Sequence, residues 1–288
     1  MTREQPGPGP ARPPRRVRGL RRVPQARIPW AVRVPAAVGA AFLVLPLLGI
    51  LARTPWHSVA HLLAGTGVLA ALRLSLQCAT LATVGSLLLG VPLAWVLARG
   101  RGPAVRLLRA LVTLPLVLPP VVGGVALLLV LGRAGLIGRY LDSWFGITLP
   151  FTTAGVVVAE TFVSMPFLVM TVEGALRSAD RGLEEAAATL GARPFVTFTR
   201  ITLPLISPSL VAGSVLCWTR ALGEFGATIT FAGNFPGRTQ TMPLAVYLAL
   251  ESDPDSAAAL SLVLLAVSIT ALVLLRDRWW RSGSRGPG

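Results

Sequence analysis

The segment Glu185-Ala-Ala-Ala-Thr-Leu-Gly-Ala-Arg-Pro-Phe-Val-Thr-Phe-Thr-Arg-Ile-Thr-Leu-Pro204 lies between two long apolar runs, Phe151 to Val172 and Ser209 to Phe231. Its composition is not that of a solvated tether. Leu183 to Leu190 consists mostly of good helix formers, Gly191 is placed to end that helix, and Pro194 is placed to open another at its first turn. The spacing predicts two short helices around a turn. The second would present Phe195, Phe198 and Ile201 on one face, flanked by Arg193 and Arg200, as a compact amphipathic knob. Such a knob wants a groove.

Working outward, the two flanking runs are members of a set of six. The others extend from about Val34 to Leu51, Leu74 to Ala98, Leu107 to Leu131 and Ala257 to Leu275, each long enough to cross a hydrocarbon core as a helix. Pro115, Pro119 and Pro120 interrupt the third span and predict a kink there. Of the 288 residues, 53% are hydrophobic and only 14% charged, and the mean hydropathy is +0.67, well outside the balance of a soluble domain. The fold class expected is an all-α polytopic membrane protein. Its divisions would be a disordered basic tail over 1–33, a six-helix domain over 34–276 with a loop at 173–205, and a second tail over 277–288.

The net charge of +15 fits topology better than nucleic acid, since the basic residues lie mostly between apolar runs and no basic-aromatic stripe accompanies them. All 27 basic residues are arginine. They concentrate in the N-terminal tail, at Arg99 to Arg109, at Arg177 to Arg200 and beyond Arg276, which places both termini and the 173–205 loop on the cytoplasmic side. Cys78 and Cys217 have no second cysteine or histidine at ligand spacing, so no metal site is expected. His57 and His61 stand at i and i+4 in the first external loop, without the glutamate of a zincin-like motif. That counts against a membrane enzyme.

Charges inside the spans are the remaining candidates for function. Arg220, Glu224 and Thr228 fall at i, i+4 and i+8, which predicts one polar stripe along the fifth span. A charge at the centre of a membrane helix costs at least about 2.5 kcal/mol, so these side chains should face the bundle interior or a watery path. Two readings stand: a pore or gate lining, or an Arg220 to Glu224 pair that neutralises itself and fixes packing. Glu160 is a second intramembrane carboxylate, and Gly223 and Gly226 would allow close helix approach.

The motif Glu185-Ala186-Ala187, Gly191 and Ile201-x-Leu203-Pro204 resembles the Glu-Ala-Ala signature of bacterial ABC importer permeases. In that family the loop forms a coupling helix seated in a cleft of the ATPase subunit, which the resemblance implies here for these residues. Thr219 to Glu251, and Leu114 to Leu141, resemble the molybdate branch, with sulfate and thiosulfate permeases sharing the Gly-Glu-Phe/Tyr-Gly core. The resemblance implies import of molybdate or tungstate across a bacterial inner membrane by alternating access. It further implies a homodimer of this chain, an extracytoplasmic oxyanion-binding protein, and ATPase subunits that hold ATP and magnesium. The chain has no lysine and so no phosphate-binding loop of its own, which agrees. A secondary transporter would need intramembrane charges too, but no coupling helix.

Overall fold

The computed structural model describes residues 29–57, 59 and 65–283. Most of the expected N-terminal tail, His61 and residues 284–288 lie outside the described residues. The described residues form helices and no strand: α1 (Trp30–Arg53), α2 (Thr66–Arg99), α3 (Pro103–Val117), α4 (Pro120–Leu131), α5 (Gly138–Phe145) and α6 (Thr153–Ser178) come first. They are followed by α7 (Gly182–Thr189), α8 (Pro194–Thr197), α9 (Leu203–Leu222), α10 (Gly226–Ala232), α11 (Met242–Ser252) and α12 (Pro254–Gly283). Packing divides the chain after Leu47. The described part of the first unit is most of α1, and α2 to α12 all belong to the unit from Leu48 onward.

The distribution of residue types identifies the solvent. Leu88, Leu89 and Leu129 are exposed on the outer surface, whereas Ser86, Glu160, Ser164 and Thr228 are buried. A greasy exterior around a polar and small-residue interior is the arrangement that lipid, not water, stabilises. α2, α6 and α9 form the centre, with Leu97, Leu168, Val169, Val172, Leu176 and Ile206 in one buried cluster. The N-terminus of α6 is fixed locally, since the Gly155 N–H donates to the Thr152 hydroxyl at 3.1 Å.

Among the described residues five helices are long and apolar enough to cross a membrane, and the α3–α4 pair makes a sixth if counted as one span. This multi-pass architecture agrees with the expected fold class, with two corrections. The third run is not a kinked helix: α3 and α4 are bent by 120°. Leu118 precedes Pro119, and Pro119 precedes Pro120, so both are pushed out of the helical region, to ψ of 135° and 132°. Two successive extended residues turn the chain where one proline would only bend it.

The second correction falls on the run from Ser209 to Phe231. It ends as a helix at Leu222 and resumes at Gly226, so the expected single stripe is divided between α9, a break, and α10. In the other direction the helix is longer than expected. α8, one turn of π-helix at Phe198–Thr202, and α9 run on as one 29-residue helix, Pro194–Leu222. The widened turn has a local cause: the ring of Pro204 would crowd the carbonyl of Arg200 in a regular α-helix.

Candidate functional site

The break between α9 and α10 is built on charge. Arg220 is in the last turn of α9, where a cation is favoured, and Glu224 lies just ahead of the first turn of α10, where an anion is favoured. The two pair at 2.6 Å through Arg220 Nη1 and Glu224 Oε2. The other carboxylate oxygen, Oε1, accepts from the Ala227 N–H at 2.8 Å and so satisfies an otherwise free donor of the new helix. That bond is the physical reason the helix stops and restarts: a side chain takes the place of a backbone acceptor. Glu224 is 1% exposed.

Thr228 is buried, one turn into α10, and its Oγ1 has no hydrogen-bond partner among the described residues. Gly226 behaves as expected, because a Cβ there would lie 2.9 Å from Pro120 Cβ. Gly223 does not, since a Cβ there would meet only Thr219 O at 3.6 Å. The contact that holds α10 closest comes from a glycine the sequence did not single out. At Gly124 of α4 a Cβ would fall 2.7 Å from Thr230 Cβ and 2.8 Å from Ala227 O. α10 is wedged between α4 and α6, where Ala227 and Phe231 pack in one cluster with Ala159 and Val163.

In the loop from Ser178 to Pro204, α7 ends before Gly191 at φ +78° and Pro194 opens α8, as the composition predicts, but the second helix is not short: α8 is the first turn of the helix that runs on to Leu222. The loop's residues divide by face. Ala187 is buried, Ile201 and Leu203 are half-buried, and Glu185, Ala186, Gly191 and Pro204 are exposed. Phe195 and Phe198 do not share a face as expected: Phe195 is exposed, while Phe198 lies against Trp95 with ring centroids 4.2 Å apart.

The acid that anchors the loop is Glu184, the neighbour of the glutamate in the motif. Glu184 Oε1 accepts from Arg99 Nη2 at 2.6 Å and from the Thr202 hydroxyl at 2.9 Å, tying α7 to the end of α2 and to the start of the long helix. Alongside it, Glu173 Oε1 pairs with Arg109 at 2.8 Å and Arg177 at 2.9 Å. Both arginines also donate to the Leu97 carbonyl. Sequence reasoning used these arginines only to set topology. A usable signal was present, since Glu184 is three residues from Ala187 and shares its inward face.

A family model described as a binding-protein-dependent transport system inner membrane component matches residues 90–282. The chain belongs to that family. The matched segment contains both the break and the loop. The molybdenum transport system permease protein ModB of Mycobacterium tuberculosis is 53% identical over 252 residues, covering 88% of this chain and 94% of that one. The sulfate transport system permease protein CysT of Escherichia coli is 38% identical over 250 residues, covering 85% and 90%. The fold is also that of a chain in the crystal structure of a bacterial alginate ABC transporter in complex with alginate pentasaccharide-bound periplasmic protein. The TM-score is 0.73 at 18% identity, over 89% of this chain and 95% of that one. As the membrane component of a transport system, the chain is a permease subunit and not itself an enzyme.

Proposed function

We propose that this permease carries molybdate, with tungstate as a near equivalent, into the bacterial cytoplasm as the membrane-spanning subunit of an ATP-driven importer working by alternating access. The observation that carries the reading is the 53% identity to a molybdenum permease, sustained over 252 residues, against 38% to a sulfate permease. The expected test is uptake of labelled molybdate by cells expressing the complete system. Uptake should persist in excess sulfate; strong competition by sulfate would shift the assignment to the sulfate and thiosulfate alternative.

In this reading two copies of the chain form the pore, and an extracytoplasmic binding protein delivers the oxyanion. Separate ATPase subunits hold ATP and magnesium. The arginine distribution supports cytoplasmic termini and a cytoplasmic 178–204 loop. The loop is the docking element for the ATPase: Leu183, Leu190 and Phe195 expose apolar surface around Glu185, whose carboxylate has no partner among the described residues. Glu185 would meet the partner, Ala186 would allow close approach, Gly191 would hold the turn and exposed Pro204 would flank the docking surface, with Ala187, Ile201 and Leu203 fixing the loop to the bundle.

The variant Glu185→Ala with Gly191→Val removes the charge and puts a β-branched residue at φ +78°, a strain of roughly 1–2 kcal/mol. Affinity purification from membranes should then recover the permease without its ATPase, and uptake should fall to background. Retention of both ATPase and uptake would exclude the docking role.

A further inference from the structure

The interior beside the break is layered. Leu74 and Cys78 of α2 share a buried cluster with Val156 of α6 and Ala232 of α10. One helical turn along from Val156 is Glu160, and one turn back from Ala232 is Thr228, so Cys78, Glu160 and Thr228 occupy the next layer. Ala159 and Val163, on either side of Glu160, pack in one cluster with Ala227 and Phe231. Val157 packs against the cluster that holds Ala221 and Leu222. Glu160 is thereby placed opposite the break.

Two side chains in this layer lack hydrogen-bond partners among the described residues. Glu160 is 1% exposed with a bare Oε2, and Thr228 is 0% exposed with a bare Oγ1. The charges do not balance either. α9 brings Arg220 and the Cys217 thiol, the break brings Glu224, α2 brings the Cys78 thiol, and α4 and α10 bring no titratable side chain. One guanidinium stands against two carboxylates, and it is already paired with Glu224 at 2.6 Å. An ionised Glu160 would be an uncompensated charge buried in a bilayer, which is strongly disfavoured.

We propose that Glu160 is a proton-binding site: it holds one proton as a neutral carboxylic acid in the membrane interior, and that proton reserves Arg220 for Glu224. Loss of the proton sets a second anion in competition for the guanidinium and loosens the break. Import should therefore fail at alkaline pH. This consequence rests on the break belonging to the transport path; the proton site itself does not.

The two are separated by two readouts on the assembled complex in lipid nanodiscs or proteoliposomes. Infrared spectroscopy at neutral pH should show the carbonyl band of a buried carboxylic acid in the wild type and its loss in Glu160→Gln. Absence of the band in the wild type, or its retention in the variant, would overturn the proposal. Should the variant not assemble, the wild type alone decides, because its band should disappear on alkalinisation over the same range in which molybdate uptake falls. Uptake that falls while the band persists would overturn the link to the break. A complex that moves no molybdate at any pH would sink the import reading and leave the infrared result standing.

Discussion

Replacing Glu224 by alanine is expected to abolish uptake and to lower the yield and thermal stability of the purified permease more than any other single change at the break. Glu224 does two things with one carboxylate: it pairs with Arg220 and it accepts from the Ala227 N–H. Its removal leaves Arg220 without its counterion and the first turn of α10 without an acceptor. Breaking a buried pair costs roughly 3–5 kcal/mol, and loss of a cap adds about 1 kcal/mol. Arg220→Ala keeps the cap on α10 but leaves the buried Glu224 carboxylate without its counterion, so its cost should fall short of Glu224→Ala only by the cap. The double change Arg220→Gln with Glu224→Gln separates the two standing readings. It keeps an amide acceptor for Ala227 and removes both charges together, so a packing pair predicts that stability and uptake survive. A pore or gate role predicts a stable protein that does not transport. Thermal unfolding and molybdate uptake, measured on the same preparations, distinguish them.

Glu184→Ala is expected to have the second largest effect, and of a different kind. The pair with Arg99 is mostly buried, at 18% and 23% exposed, and Glu184→Ala also leaves the buried Thr202 hydroxyl without its acceptor, so stability should fall by roughly 1–3 kcal/mol. Transport should nonetheless be lost, because the same oxygen holds both Arg99 and Thr202, and through them α7 is fixed to α2 and to the long helix. The ATPase should still copurify, since Glu185, Ala186 and the exposed apolar residues are untouched, and hydrolysis should run without import. Reversing the pair as Arg99→Glu with Glu184→Arg should restore part of the uptake. Loss of ATPase association in Glu184→Ala would show that Glu184 belongs to the docking surface and not to the anchor.

These expectations depend on features that were unequally visible in the sequence. The spans are legible because backbone in lipid must satisfy itself within each segment, which forces long apolar runs. The loop is legible because Gly191 and Pro194 are strong local punctuation. The Arg220 to Glu224 pair follows from i,i+4 spacing and is present. What periodicity could not show is that this spacing outlives the helix that suggested it: Glu224 turns its carboxylate back to the chain and ends the periodicity. The α3–α4 reversal was written in Leu118-Pro119-Pro120, but a span-length apolar run conceals a change of direction. Glu184 and Glu185 are chemically identical neighbours, and only the inward side of Ala187 tells them apart. Gly124 gives no local signal at all, because the residue it accommodates, Thr230, is more than 100 positions away.

The unbroken helix from Pro194 to Leu222 has a mechanical consequence. At about 1.5 Å per residue its 29 residues form a rod roughly 43 Å long, with Phe195 near one tip and Arg220 at the other. Its two local irregularities, the π-helical turn at Phe198–Thr202 and Pro208, leave it one continuous span. If the ATPase docks on the loop as proposed, a push on its tip would reach the charged break as tilt, provided there is a pivot. Gly213 supplies one: a Cβ there would lie 3.1 Å from the Leu168 side chain and 3.2 Å from Thr171 Cβ, so the rod crosses α6 with no side chain of its own in the way. In the proposed importer the ratio of the two arms about Gly213 would set how far the break moves for a given displacement of the docked loop. Lengthening the loop would alter the stroke; a bulkier residue at 213 would lock the fulcrum.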